Sequence, residues 1–277
     1  MTGEALPAEH NGDIWSREAT KHGAILTGKN QRFLLGVSII LGDPEKRKRK
    51  LPFCRGLWYA GKKKKGGAAM KILLTAFDPF GGEPINPAWE AVQRLRAPVG
   101  TTLKKLQLPT VFGLSGELLC QALAREQPDL TLCIGQAAGR PAITPERIGV
   151  NLMDASIPDN AGQQPREQPV IPGAPTAYFA RLPVRPLAEA IAGAGVPAAV
   201  SNSAGLFVCN QLLFRLLHEM ERRYPAMQGG FVHVPCLPEQ AERLKKDRPI
   251  PSLPLGDIVR GLQAGLDWLA GQMGLRE

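Results

Sequence analysis

From Met70 onward the apolar positions fall into two alternating rhythms. Lys71–Ala76 is a short apolar run closed by a turn signal, which predicts a buried strand. Asn86-Pro87 supplies an N-cap and a proline at the first helical position, opening a helix through about Arg96. Leu103–Leu108 reads as a strand, Ser115–Glu126 as a helix, Leu130–Ile134 as a buried strand and Arg147–Met153 as an alternating one. Ile157–Pro183 is rich in Pro, Gly and Gln and reads as a long loop, a length that inside a compact domain is usually functional or mobile. Pro186–Ala192 is helical, Ala198–Ser203 a strand, Leu206–Arg222 a strong helix, Phe231–Val234 a strand and about Leu255–Gln272 an amphipathic final helix. Strands alternating with helices predict one α/β domain whose largely parallel or mixed sheet is covered on both faces.

Residues 1–69 follow no such rhythm. They carry the basic runs Lys46–Lys50 and Lys62–Lys65, and read as a poorly ordered, solvated leader ahead of a folded domain over residues 70–277. Charge sharpens the division. The leader holds 14 Lys/Arg against 6 Asp/Glu, leaving 20 against 19 for the rest, so eight of the nine net positive charges precede Met70. A basic arm for nucleic acid is the competing reading of the leader. A third is that Met70, which opens a strand directly, is the true start of translation.

The five cysteines (Cys54, Cys120, Cys133, Cys209 and Cys236) are odd in number and form no CxxC, and with four histidines they make no metal-ligand cluster. Reduced thiols in a cytoplasmic setting are expected, with no cofactor and no metal. No apolar stretch reaches the roughly 18–20 residues of a membrane span, and Phe33–Gly42 is too short.

Among the thiols, Cys54 lies in the leader, and Cys120 and Cys133 fit a helix and an apolar strand as inert packing residues. Cys209 differs. Ser201–Asn210 runs from strand through a glycine turn into the first turn of a helix, where the positive end of the macrodipole favours thiolate. It also shares a helical face with Leu212, Leu213, Leu216 and Met220, so a small core residue is the alternative. A nucleophilic thiol needs a base. His10 and His22 lie in the leader, and His218 shares a polar helix face with Gln211, Arg215 and Arg222, as a solvated residue would. His233, at the end of a strand beside Pro235, is left by elimination, with a structural histidine as its alternative. Glu146, at the mouth of a strand, can orient an imidazole or pair with Arg147 on the surface. Spacing alone does not bring the three together.

Several motifs in order do more. Leu74-Thr75-Ala76-Phe77-Asp78-Pro79-Phe80-Gly81-Gly82, Ile85-Asn86-Pro87, Gly135–Arg140, Ile143–Asn151, Ile157-Pro158-Asp159-Asn160, Ser201–Asn210 and Gly229–Pro235 resemble the pyroglutamyl peptidase I family from Met70 to the C-terminus. The resemblance implies a single α/β/α sandwich with a central mixed, largely parallel sheet, often a homotetramer. It implies a cysteine peptidase that hydrolyses the amide after an N-terminal pyroglutamate, with Cys209 as nucleophile, His233 as base and Glu146 orienting it. Phe77 and Phe80 would flank the lactam ring, Gln136 and Asn86 would lie at or support the pocket, and Val208, Thr110 and Ile157 would be wall residues. Peptides beginning with pyroglutamate are then the expected partners, rather than nucleic acid or membrane. One departure stands out. Met153-Asp154-Ala155-Ser156 replaces the family's usual Asp-Asp-Ala-Arg, so Ser156 stands where an arginine is thought to help the oxyanion, and a serine offers neither the charge nor the reach.

Overall fold

The computed structural model describes residues 69–244 and 248–274. The basic runs, Cys54, His10 and His22 lie outside the described residues.

The elements in order are β1 (Met70–Phe77), α1 (Pro87–Arg94), β2 (Thr101–Leu108), α2 (Leu114–Glu126), β3 (Leu130–Gln136), β4 (Thr144–Pro145), β5 (Ile148–Val150), β6 (Ala177–Phe179), α3 (Val184–Gly193), α4 (Val208–Arg222), β7 (Gln228–Val234), α5 (Pro238–Leu244) and α6 (Leu255–Gly274). A five-stranded sheet runs β2-β1-β3-β7-β4, parallel except for β4, and β5 and β6 form a separate antiparallel pair. The apolar strands are continuous because both faces are covered. From β1, Ile72, Leu74 and Ala76 join one buried cluster with residues of α1, α3 and α6, while Leu73 and Phe77 join the other with α2 and α4. That alternation is the strand period of two, and it gives the expected α/β/α layering.

The start of α1 follows its sequence signal. Asn86 Oδ1 accepts from Ala88 N at 3.0 Å with Pro87 at the first helical position, while Asn86 Nδ2 donates to Asp78 O at 2.9 Å and ties the helix to the end of β1.

Two expected strands are corrected. Arg147–Met153 is not one alternating strand: β4 ends before Glu146, and β5 covers only Ile148–Val150. Ala198–Ser203 forms only isolated bridges, Ile143↔Ala198 and Glu146↔Ser201. The reason is local. The segment runs parallel beside residues 143–147, with Ile143 N→Pro197 O, Ala199 N→Ile143 O, Ser201 N→Pro145 O and Arg147 N→Ser201 O, all at 2.9–3.1 Å. The bond that would complete this ladder requires an N–H at position 145, and a proline has none.

The long loop at 157–183 contains β6 and is firmly tied. Asp159 Oδ1 accepts from Ala161 N and Gln163 N, both at 2.8 Å, and its Oδ2 accepts from Phe112 N at 2.8 Å. Asn160 Nδ2 donates to Pro79 O at 2.9 Å, and Thr110 Oγ1 to Asp78 Oδ1 at 2.7 Å. Three connections are thereby pinned together at the carboxyl ends of β1 and β2, where α/β sheets place their sites.

Candidate active site

β7 carries His233 one residue before its end, in register with Gly135 of β3 on one side and Thr144 of β4 on the other. His233 is buried, and its Nδ1 lies 2.7 Å from Oε1 of Glu146, which is wholly buried. Arg140 Nη1 donates to the same Oε1 at 2.6 Å. The surface pairing of Glu146 with Arg147 is therefore overturned. Neighbours on an extended chain point to opposite sides, and Glu146 takes the inner one. Burial raises the Glu146 pKa, but the His233 hydrogen bond and charge, Ser201 and Arg140 outweigh it, and the carboxyl titrates below its usual range. Burial pulls His233 below the ordinary imidazole value, with Glu146 opposing and Arg140 reinforcing the shift.

Cys209 is the second residue of α4, whose N-cap Phe207 offers no side-chain acceptor. Gln211 N→Phe207 O, at 3.1 Å, is the first bond of the helix, so the N–H groups of Val208, Cys209 and Asn210 precede the intrahelical ladder. Asn210 fastens this turn to the chain following Glu146: its Oδ1 accepts from Val150 N at 3.0 Å, and its Nδ2 donates to Val150 O and Leu152 O, both at 2.9 Å. The half-buried thiol lies over Gly135, where a Cβ would stand 3.1 Å from Sγ. Gly135 is the register partner of His233, so the thiol lies over the strand next to the one that carries the imidazole. The helix end is opposed here: burial first, and then the Glu146 charge, push the Cys209 thiol up to about 12, against the pull of Arg140. Burial thus acts against the charged form of both groups, raising the thiol and lowering the imidazole. Cys133, fully buried, is pushed up to about 12 by burial and is inert, as expected of a packing residue.

The remaining expected residues divide. Phe77 is buried against Phe231, with ring centroids 6.4 Å apart, and Phe231 lies 4.7 Å from the His233 ring. Phe80 packs on Phe207 at 5.3 Å, and Phe207 on Phe112 at 5.2 Å. Gln136 ends β3 and bonds Gln240 of α5 at 3.3 Å. Val208 is wholly buried, Asn86 serves as the cap of α1, and Thr110 is held by Asp78. Ile157 is 50% exposed and Ser156 is exposed beside it. His218 is not solvated as its helix face suggested: it is half-buried, bonded to Tyr178 Oη at 3.0 Å and packed on Phe214. Missed in the sequence were Arg140, inside a motif but with no partner visible, and the rings of Phe112, Phe207 and Phe231. A surface groove of about 1100 Å³ between the end of α1 and α6 holds none of these residues. The buried carboxylate–imidazole pair lies elsewhere, at the carboxyl end of β7. Among the described residues no group of three His, Cys, Asp or Glu could hold a metal ion.

The family model for pyroglutamyl peptidase matches residues 70–272. The chain belongs to the pyroglutamyl peptidase family. Among its relatives, the pyrrolidone-carboxylate peptidase of Levilactobacillus brevis is 51% identical over 198 residues, covering 71% of this chain and 96% of that one. The enzyme of the same name from Streptomyces coelicolor is 48% identical over 196 residues, covering 70% and 89%. The crystal structure of Bacillus amyloliquefaciens pyroglutamyl peptidase I superposes with a TM-score of 0.69 at 45% identity, covering 74% of this chain and 98% of that one. A mutant pyrrolidone carboxyl peptidase from Pyrococcus furiosus gives 0.71 at 37% identity, covering 74% and 100%. This member of the pyroglutamyl peptidase family shares the fold of both, with a mixed, largely parallel sheet between helical layers.

Proposed function

We propose that the protein is a cysteine peptidase that removes pyroglutamate (5-oxoproline) from the N-terminus of peptides, with Cys209 as nucleophile, His233 as general base and acid, and Glu146 orienting the imidazole. The observation that carries the reading is the 2.7 Å bond from His233 Nδ1 to the wholly buried Glu146 carboxylate, with the thiol over Gly135 on the adjacent strand.

In this reading His233 takes the Cys209 proton as sulfur attacks the pyroglutamyl carbonyl. Glu146 holds Nδ1–H and stabilises the imidazolium that forms. The free N–H groups at the start of α4 receive the oxyanion, an effect of roughly 2.7–4 kcal/mol per donor in comparable sites. His233 then protonates the leaving amine, and water releases the acid from the thioester. The substrate end is a neutral lactam, which suits an apolar site with few polar groups. Phe77 and Phe80 are assigned to its ring, Gln136 and Asn86 to the polar edge or its support, and Val208, Thr110 and Ile157 to the walls.

The family match beginning at residue 70 supports a catalytic domain over 70–277, with residues 1–69 dispensable for the reaction. A cytoplasmic setting is supported by four described cysteines, all of them free thiols. A homotetramer is carried over from the family resemblance. Light scattering of the full chain measures the subunit number directly.

The test is hydrolysis of a pyroglutamyl chromogenic amide by the full chain and by residues 70–277, each beside Cys209→Ser. Activity in both parents and in neither mutant is expected. The competing reading is a thiol amidase of different specificity on the same scaffold. Preference for prolyl or alanyl over pyroglutamyl amides would establish that one instead.

A further inference from the structure

Arg140 makes contacts that the proposed reaction does not yet use. It leaves the turn after β3, and its side chain, 25% exposed, reaches back toward the buried Glu146. Nη1 donates to Glu146 Oε1 and to Thr144 Oγ1, both at 2.6 Å, and Nη2 donates to Ser203 O at 2.8 Å. Thr144 is the register partner of His233 on β4, and Ser203 lies on the turn leading into Cys209. One planar guanidinium thus joins the carboxylate, the strand beside the imidazole and the approach to the thiol. Glu146 Oε1 is shared by two cation-capable donors, Arg140 and His233.

We infer that Arg140 is a positioning residue for the proposed catalytic site: it fixes the Glu146 carboxylate against His233 and, by competing for the same oxygen, tempers the hold of that carboxylate on the imidazole. The inference rests on the Cys209–His233–Glu146 reading. An ionised carboxylate with no other donor would draw a proton onto His233 at rest and leave no base for the thiol. A second cation on the shared oxygen offsets that attraction, while its fork geometry keeps the oxygen aimed at Nδ1. Burial acts on His233 in the same direction, and Arg140 adds to it. The charged groups that act on the imidazole are Glu146 and Arg140, and the same two, with Cys133, act on the Cys209 thiol over the neighbouring strand.

The test is the pH dependence of kcat/KM for Arg140→Gln and Arg140→Lys in the full chain. Protonated His233 cannot act as base, so the acidic limb follows the imidazole. Arg140→Gln keeps N–H donors without the charge. Its acidic limb should move to higher pH by about one unit, the size of effect a charge at roughly 4–6 Å exerts. Arg140→Lys keeps the charge and should hold the limb near its wild-type position, with a rate lowered equally at every pH. A part that was merely structural would lower the rate in both variants without moving either limb. A limb unmoved in Arg140→Gln, or moved equally in both variants, overturns the inference. Alkylation of Cys209 by iodoacetamide, followed over the same pH range, reads the same imidazole without a substrate. A wild-type enzyme inert toward pyroglutamyl amides therefore refutes the proposed substrate, while the alkylation profiles still decide the part played by Arg140.

Discussion

Placing a methyl group at Gly135 tests the geometry of the candidate site most directly. A Cβ there would stand 2.7 Å from Cζ and 3.0 Å from Cε1 of Phe231, and 3.1 Å from Cys209 Sγ, where ordinary contact begins at 3.4 Å. To restore that contact the ring must retreat by about 0.7 Å (3.4 less 2.7) and the sulfur by about 0.3 Å (3.4 less 3.1). Phe231 is wholly buried, with His233 4.7 Å and Phe77 6.4 Å from its centroid, so its retreat presses on the imidazole. Overpacking of this kind costs about 1–3 kcal/mol. Displacements approaching 1 Å at reacting groups lower rates by up to about 100-fold. Gly135→Ala should therefore lose stability in urea unfolding and, per titrated thiol, about 10–100-fold in kcat on a pyroglutamyl amide. Gly230→Ala is the control: its Cβ would meet Leu182 Cδ1 at 2.7 Å and Cγ at 3.1 Å, a side chain away from the thiol. It should lose comparable stability and keep its kcat per folded molecule. A Gly135→Ala enzyme with wild-type kcat, or equal kcat losses in the two variants, would refute the placement of the thiol over β3.

Three further outcomes are expected. The folded-state pKa values of Glu146 and His233 are both depressed, so each contributes stability that is complete above its unfolded value, about 4.3 and about 6.5, and is lost as pH falls through the folded one. The urea midpoint should hold between pH 7 and 8 and decline below about 6.5, His233 acting first; a midpoint that rises on acidification from 6.5 to 5 contradicts this assignment. Asn86→Ala removes the cap of α1 together with the tie to Asp78 O, and should cost about 0.5–2 kcal/mol in unfolding free energy. Ser156→Arg should raise kcat/KM on the order of tenfold if the missing guanidinium aided the oxyanion, and an unaltered rate counts against that idea.

The layers of this fold were legible because burial on both sheet faces writes continuous apolar runs, and α1 because its cap and proline are chemically explicit. The lapses share a cause. Between residues 143 and 201 the chain pairs through scattered bonds interrupted at Pro145, and a pattern of apolar positions carries no record of which ladder a proline interrupts. The short helix α5 lacks the length to establish a period, and β6 lies inside a loop whose order comes from Asp159 and Asn160 side chains bonding distant backbone. Such bonds connect positions tens of residues apart, so no local window contains both partners.

The site repeats this lesson at the level of charge. The residue types and their motifs name Glu146, Cys209 and His233, but a helix terminus that favours thiolate is only a local property. Ionisation depends on everything within a few ångströms. At Cys209 burial and the Glu146 carboxylate oppose the helix terminus and Arg140, and the thiol comes out raised. Neither the carboxylate, 63 positions earlier, nor the guanidinium, 69 earlier, is near in sequence (209 less 146; 209 less 140). The consequence bears on mechanism. If the helix end does not hold a thiolate at rest, its free N–H groups are unspent until an oxyanion forms, and they then act on the transition state rather than on the ground state. A solvent isotope effect on kcat/KM distinguishes the two cases. Concerted proton removal from a neutral thiol gives a normal effect, whereas a preformed thiolate–imidazolium pair gives one near unity or inverse.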